Sequence, residues 1–595
     1  MSSYYLGLAN SCHDPAIAII DPEGKILFAE ALERPLQNKI AWDTAPDHFH
    51  RIKDLIETYC NPQAKFIVAT TWSKNSLQKF RSKILDPEVF LDPKKDQVSP
   101  YLIYQYDIDW VFQLHELAVS RAGINLAVQM RSQFNNEKVS FRQFPHHLTH
   151  AANACYSSPF KEAACIIVDG EGEFGAISCY QYKDGKFKRV QRSLGAGSLG
   201  KLYSIVTKLC GFDWRKGEQW KVMGLSAYGK IDPEAYELIR GLIEIDSCRL
   251  KFASVEKLQI SLEYLSAKAR HPAAPPWEAA DIAYTAQKVF AEVMTELLNN
   301  FYSMGISDNL VLGGGCGLNS AFNGTITQLT SFKNVHIPSA PGDDGNALGA
   351  AWLAYYEDNP NSVHQPQLKS PYLGSLINRK GLKNLVRFSN IRNIKHLPGK
   401  IHLEAARLLA EGKLLGWVQG RAEFGPRALG NRSILADPRS PKMKQIINQR
   451  VKFREEFRPF APAILHEFGE QYFENYQESP YMSFALKWRS QVQDKLPAVV
   501  HVNETGRLQT VKREWNQKFY DLIFAFYEIT GVPVVLNTSF NIMGKPIIHS
   551  VEDAISVFYT TGLDALVIED YLIEKQQQEN KYEKSRNLEI IANSL

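Results

Sequence analysis

The sequence predicts an α/β protein in which a duplicated N-terminal unit is followed by a chemically different C-terminal one. Three observations predict this. A strand-loop-strand-turn-strand pattern occurs twice, the copies about 155 residues apart. Long helical patterns lie between and after the copies. Near residue 400 the texture changes and positive charge becomes concentrated.

In the first copy, residues 4–10 and 16–20 are apolar and β-prone, with a polar stretch, 11–14, between them. The DPEG of 21–24 is turn chemistry, and 25–32 resumes the apolar run. The second copy has strands over 163–168, 176–182 and 187–193, with DGEG at 169–172 as the loop and KDG at 183–185 as the turn. In duplicated folds of this kind the two loops face each other and hold a phosphate chain; the competing explanation is two unrelated hairpins. Helical patterns cover 46–59, 107–131, 279–302 and 347–356, and a strand at 309–312 leads into a Gly-rich loop. Residues 357–398 are rich in Pro, Asn, Lys and Ser and are expected to connect the units, giving domains 1–356 and 399–595. Beyond them come an amphipathic helix at 402–411, a strand at 414–418, and the basic stretch.

The chain has 595 residues, 45% hydrophobic and 22% charged, a soluble globular balance that excludes disorder as the main state. At roughly 150 residues per domain two to four domains are expected. The net charge of +4 is too small over this length to suggest a nucleic-acid partner. No apolar run is long enough to span a membrane, and MSSYYLGLANSCHDP lacks a signal pattern. Eight scattered cysteines without a CxxC pair suit reduced thiols, so a cytoplasmic location is expected.

PHHLTH opens a helix in which His146 and His150 stand four apart and so share a face, as a metal chelate requires. Alone, the pair is equally explained by solvated histidines at a polar helix start. A third ligand is available in SAPGDDG, where Asp343 sits in a tight turn before a helix. Two imidazoles and one carboxylate suit divalent iron, with Mn or Zn as alternatives. Asp344 competes for this role, although an N-cap is its ordinary use.

LGGGCGLN at 312–319 is a strand followed by glycines that let a backbone approach a nucleotide closely, or else a packing turn. From 421 to 458 ten basic residues face four acidic ones, a net +6 that leaves −2 for the rest of the chain. Arginines set among Gly, Pro and Phe suit bidentate binding of phosphate or carboxylate, against the alternative of a basic surface or RNA patch. NTSFN at 537–541 follows the apolar strand 532–536 and presents short polar side chains at its end.

The segments GRAEFGPRALGNRSILADP, NQRVKFREEFRPFAPAIL, HVNETGRLQTV and GVPVVLNTSFNIMGKPI resemble the C-terminal half of the NodU/CmcH-type O-carbamoyltransferases. HHLTHAANACYSSPF, IVDGEGE, SLGKLYSIVTKLCGF, WKVMGLSAYG and GGGCGLN…PGDDGNALGAA are similar to their N-terminal half, so the likeness runs from about residue 4 to about 568. The resemblance implies an actin-like (ASKHA, ribonuclease-H-like) N-terminal domain and a YrdC-like C-terminal domain. It implies carbamoyl phosphate and ATP as co-substrates, Mg allowed beside the nucleotide. Carbamate released in the C-terminal domain becomes carbamoyl-adenylate and then passes to a hydroxyl of a small-molecule natural product. Transferred motif by motif, His146, His150 and Asp343 hold Fe(II) or another divalent metal, and Lys39, Asp169, Gly172, Gly314, Gly315 and Asn319 line the nucleotide or adenylate. Arg427, Lys452, Arg458, His501, Arg507, Asn537 and Ser539 bind carbamoyl phosphate. His13 with Asp14 matches the family's His-Asp pair and is the expected base for the acceptor hydroxyl, a role suited by an imidazole pKa near ~6.5. Two positions depart from the family: Asn503, where Asp is usual, and Pro15, where a small residue is usual. Neither a membrane nor nucleic acid is expected as a partner, and a homodimer is allowed. The competing functions are a transfer-RNA threonylcarbamoylation fusion and a non-catalytic ATP-sensing protein.

Overall fold

The computed structural model describes residues 2–73, 75, 78, 108–195, 197–391 and 393–575. Asp107, at the start of one expected helix, and 576–595, assigned with the C-terminal unit, lie outside them.

One topology is present twice. Strands β1 (Ser3–Ala9), β2 (Ala16–Ile20), β3 (Ile26–Ala31), β4 (Lys65–Thr70) and β5 (Val139–Gln143) form a sheet in the order β3-β2-β1-β4-β5. Then come β6 (Glu162–Val168), β7 (Ile177–Lys183), β8 (Lys186–Arg192), a separate hairpin β9 (Ile243–Asp246) and β10 (Arg249–Phe252), then β11 (Asn309–Gly313) and β12 (Asn334–His336). The second sheet has the order β12-β11-β6-β7-β8, the same plan. In both, the first three strands are antiparallel and the last two run parallel to the first. This is a duplicated ribonuclease-H-like plan, the actin-like arrangement that the sequence leads one to expect. The central strands β1 and β6 are covered on both faces and therefore read as unbroken apolar runs.

Each copy sends a helix back between the sheets after its last strand, His146–Tyr156 in the first and Asn346–Asp358 in the second. The two helices pack against each other through small buried residues, Ala151, Ala152 and Ala154 against Ala347, Ala350 and Ala351. Glycine sets how closely they approach. A Cβ on Gly349 would lie 1.9 Å from the Thr149 carbonyl oxygen, and one on Gly7 1.7 Å from that of Ala347. The N-terminal ends of both helices thus arrive together beside the end of β6.

The C-terminal sheet contains β13 (Ile394–His396), β14 (Leu415–Val418), β15 (Arg432–Ala436), β16 (Ala461–Leu465), β17 (Phe484–Lys487), β18 (Thr505–Val511), β19 (Val534–Ser539), β20 (Ala565–Ile568) and β21 (Tyr571–Glu574). Their order is β13-β21-β20-β14-β15-β19-β16-β18-β17. The stretch 357–398, expected to be a connection, carries the helix Arg379–Phe388 and β13, which pairs with β21.

Buried polar contacts fasten the halves together. Arg34 is 2% exposed and donates to the Gly425 carbonyl at 2.7 Å, while Arg421 reaches the Leu27 carbonyl at 2.7 Å. Glu30, also 2% exposed, pairs with Arg51, accepts the Ser375 amide at 3.0 Å and faces His549 at 3.5 Å. Gly349→Ala is expected to cost about 1–3 kcal/mol through overpacking, read as a lower urea midpoint at unchanged slope. An unchanged midpoint would show that the two helices are not held at this distance.

Candidate metal centre and cationic pocket

The convergence of helix ends places four ligand-type side chains in one buried cluster: His146, His150, Asp169 and Asp343, with one donor atom from each lying within 4.8 Å of the others. His146 Nε2 is 3.2 Å from Asp169 Oδ2 and 3.6 Å from Asp343 Oδ1. His150 Nε2 is 3.3 Å from Asp169 Oδ2 and 3.4 Å from Asp343 Oδ1. The predicted set of three is therefore brought together. Asp169, expected to line the nucleotide, turns one carboxylate oxygen toward both imidazoles, while its Oδ1 accepts the Gly315 amide at 2.9 Å. Asp344 faces elsewhere, accepting the Gly345 amide at 3.0 Å, and burial, reinforced by Asp14 and Glu33, pushes its carboxyl up to about 7.

The electrostatics of the cluster call for a cation. Burial disfavours charge on His150, yet hydrogen bonds and attraction from Asp169 and Asp343 push it up to about 10. Two buried carboxylates thus draw a proton to an imidazole in place of positive charge. Two imidazoles and two carboxylates form a donor set suited to a divalent first-row metal, so these residues fit the expected ion. Surrounding groups hold the ligands in place, as in known metal sites. Thr71 Oγ1 lies 3.2 Å from His146 Nδ1, the ring nitrogen turned away from the carboxylates. Trp72 stacks on His146 with ring centres 4.7 Å apart, and Glu173 accepts the His146 amide at the open helix end. No sequence pattern singles out Thr71, Trp72 or Glu173. Asp169 was legible as a loop residue but not as a member of the cluster.

His13 Nδ1 is 3.0 Å from Asp14 Oδ2, and its ring meets Trp42 edge-on at 5.4 Å. Burial opposes charge on His13, but the Asp14 hydrogen bond and the field of Asp343 push it up to about 9. The ordinary value expected from the sequence does not hold here, because the neighbouring carboxylates are uncompensated. The loop bearing Lys39 crosses the His13 loop: the Asp14 amide donates to the Ile40 carbonyl at 2.8 Å, and the Asp43 amide to that of Cys12 at 3.0 Å. Ile40 adopts φ +66°, a strained value for a β-branched residue. Among the expected nucleotide residues, Gly314 has φ +87° and would bring a Cβ within 2.4 Å of the Val168 carbonyl oxygen. A Cβ on Gly172 would lie 2.4 Å from His147 Nε2. Asn319 is engaged as an N-cap to Phe322 and in a paired amide contact with Gln287 at 3.0 and 3.1 Å.

The basic stretch divides into two groups. Arg432 is buried and spends its donors on the carbonyls of Gln419, Asn431, Ser375 and Gly420. Arg439 pairs with Asp437 and Arg450 with Asp564. The second group forms one cluster, whose members act on one another electrostatically. Burial holds Arg427 well below its usual value and Arg507 adds to the effect. Lys452 is likewise depressed by burial, then by Arg454 and Arg458. Arg454, absent from the predicted set, is lowered by burial and by Arg458 and Arg507. Burial brings Arg458 and Arg507 each to about 10. Five cations in mutual repulsion, among which Arg458 pairs with Glu455 at 3.5 Å, make a receptor for an oxyanion. Lys452 donates to Ser539 and to Asn541 Oδ1, the latter at 2.7 Å. Asn537 donates to the Ala428 carbonyl at 3.2 Å and to Gln509 at 2.7 Å, supporting the loop that carries Arg427. His501 lies 3.3 Å from the Phe457 carbonyl and 3.2 Å from Asn503 Oδ1, and burial lowers it.

Trp220 has cations from both halves against its ring. The Arg458 guanidinium lies 3.6 Å from its ring centre, and Lys39 and Lys221 each stand 5.8 Å away. Lys221 also bridges Glu218 and Glu455 at 2.8 Å each. No described helix is long and apolar enough to cross a membrane. The purified protein is expected to bind one divalent ion per chain by elemental analysis. Thr71→Val should weaken that affinity by ~10–100-fold, as loss of an orienting partner does, and His146→Ala by more. Unchanged loading in His146→Ala would remove the cluster as the site.

A family model described as carbamoyltransferase N-terminus matches residues 4–352, and one described as carbamoyltransferase C-terminus matches 406–575. Protein MJ1058 of Methanocaldococcus jannaschii is 30% identical over 626 residues, covering 96% of this chain and 99% of that protein. Nodulation protein NolNO of Sinorhizobium fredii is 35% identical over 464 residues, covering 76% of this chain and 66% of that one. The crystal structure of full-length HypF in its phosphate- and nucleotide-bound form aligns with a TM-score of 0.37 at 14% identity, over 59% of this chain and 55% of that one. With family models matching both halves, and a relative matched over nearly its whole length, the chain belongs to the carbamoyltransferase family.

Proposed function

We propose that this carbamoyltransferase takes its carbamoyl group from carbamoyl phosphate, activates it with ATP, and delivers it to a hydroxyl of a small-molecule natural product. The observation that carries this reading is the pair of centres, a cluster of five cations in the C-terminal half and one of two imidazoles and two carboxylates in the N-terminal half, with Trp220 facing cations of both halves.

In the C-terminal pocket Arg427, Lys452, Arg454, Arg458 and Arg507 receive the phosphate of carbamoyl phosphate, and fixed cations there stabilise charge on its oxygens without reorganisation. Addition of water releases phosphate and leaves carbamate. Carbamate is a poor electrophile that readily loses carbon dioxide, so a short enclosed passage past Trp220 and Lys39 suits its transfer. Attack of a carbamate oxygen on the α-phosphorus of ATP then expels pyrophosphate and gives carbamoyl-adenylate, with Gly172, Gly314, Gly315 and Asn319 beside the nucleotide. His146, His150, Asp169 and Asp343 would hold the divalent ion, iron(II) or another, which when bound supplies positive charge to phosphate oxygens. The acceptor hydroxyl attacks the carbamoyl carbon, its proton passes to His13 oriented by Asp14, and AMP leaves; a cation held in the cluster would offset Asp343 and Asp169, whose field raises His13, and so favour the neutral imidazole this step needs.

His146→Ala is expected to abolish acceptor-dependent AMP formation while sparing phosphate release from carbamoyl phosphate, whereas Arg507→Ala should lose both. Both products are measured in the same reaction with ATP and labelled carbamoyl phosphate. Equal loss of both activities in His146→Ala would contradict the division of labour. Trp220→Ala should raise the ratio of phosphate released to AMP formed well above one, since carbamate would escape between the centres. A ratio held at one would show that Trp220 does not close the passage.

A further inference from the structure

A cavity of about 230 Å³ is lined in part by the loop that carries Asp169, through Glu173, Phe174 and Gly175. Its lining includes Gln143 and His147 from the first copy and Glu173, Ser178, Arg189 and Arg192 from the second. None of these residues has a part in the chemistry above except Glu173, whose carboxylate accepts the His146 amide. The space is smaller than the ~300–1,000 Å³ of a site for a drug-sized ligand, and its occupant is accordingly closer to a single sugar ring.

The charges in the cavity indicate the class of that occupant. Arg189 and Arg192 stand on β8 and form no ion pair among the described residues. The Arg192 guanidinium is stacked 3.6 Å from the Phe174 ring centre, which fixes its plane. Burial, then the neighbouring Arg189, lowers Arg192. The one carboxylate in the described lining, Glu173, accepts the His146 amide and attracts Arg192. Opposite the arginines His147 Nδ1 meets Ser178 Oγ at 2.8 Å, and Gln143 adds an amide at the end of β5. Two forks faced, among the described lining residues, by the single carboxylate of Glu173 suit an anionic group, while the Ser178 hydroxyl and the Gln143 amide suit the hydroxyls of the same molecule.

The cavity is close to the metal cluster. His147 is one residue from His146, and its ring centre lies 5.8 Å from that of His146 and 6.5 Å from that of His150. The loop from Asp169 to Ala176 contributes a cluster carboxylate at one end and the cavity wall at the other.

We propose that this cavity binds the acidic end of a hydroxylated carboxylic acid of about one sugar ring, and that acceptors of this class are the ones the enzyme recognises. The assignment of the ligand as acceptor rests on the carbamoyl-transfer reading; the binding site itself does not. The test is calorimetry on the full chain with D-glucuronate, and with uncharged D-glucose as control, in the absence of ATP and carbamoyl phosphate. Glucuronate is expected to bind at least ten times more tightly than glucose, and Arg192→Gln to weaken it at least tenfold. Arg189→Gln, on the exposed rim, should weaken it as well and covers the case in which Arg192→Gln fails to fold. Arg427→Ala should leave glucuronate binding unchanged, since that pocket is the other oxyanion receptor. No preference for glucuronate over glucose, or a preference retained in Arg189→Gln and folded Arg192→Gln, would overturn the proposal. Loss of glucuronate binding in Arg427→Ala alone would also overturn it, by placing the acid in the C-terminal pocket. Because no transfer is measured, these outcomes are independent of whether the chain uses carbamoyl phosphate.

Discussion

Two buried carboxylates facing two buried imidazoles are the constraint on which the rest of this structure depends. Carboxylates removed from water are costly unless paired. Here Asp169 and Asp343 face imidazoles that answer their charge fully when protonated or when all four share a cation. The duplicated fold brings these groups together. Each copy returns a helix between the sheets, and close packing at Gly349 and Gly7 sets both helix ends against the end of β6. His146 and His150 come from one of these ends, Asp343 from just before the other, and Asp169 from the strand between. The cluster is thus a product of internal symmetry, with no single segment supplying all its donors.

The C-terminal half solves the opposite problem. Its pocket collects cations that burial and mutual repulsion both disfavour, which leaves it poised for an anion. Around them other arginines are spent on structure: Arg432 ties four carbonyls together, and Arg421 reaches across to β3. The distinction matters because formal charge along the chain does not show it. A net +6 segment contains both the receptor and its scaffold. Trp220 lies where the two chemistries meet, with cations from both halves against one ring.

Much of the fold was legible. The repeated strand order and the helices at 279–302 and 347–356 appear within one or two residues of their expected limits, because apolar periodicity and turn chemistry are local signals. The segment 357–398 was harder, since the amphipathic helix Arg379–Phe388 sits among residues whose composition suggests an open connection. In the site, the i, i+4 histidines and the carboxylate in a tight turn have recognisable local forms. Asp169 as a fourth member does not, because its role follows from the approach of elements more than a hundred residues apart. Arg454 was counted as charge but not distinguished from its neighbours, Trp220 was legible only as the first residue of WKVMGLSAYG, and Trp72 has no sequence signature. The elevated His13 likewise reflects distant carboxylates and not the His-Asp pair alone.

The central claim is that the four side chains share one ion, and the most direct measurement is anomalous scattering from crystals of the protein loaded with iron(II) or manganese(II). One strong peak per chain is expected, within coordination distance of His146, His150, Asp169 and Asp343. A peak at another place, or none at that cluster under saturating metal, would contradict it.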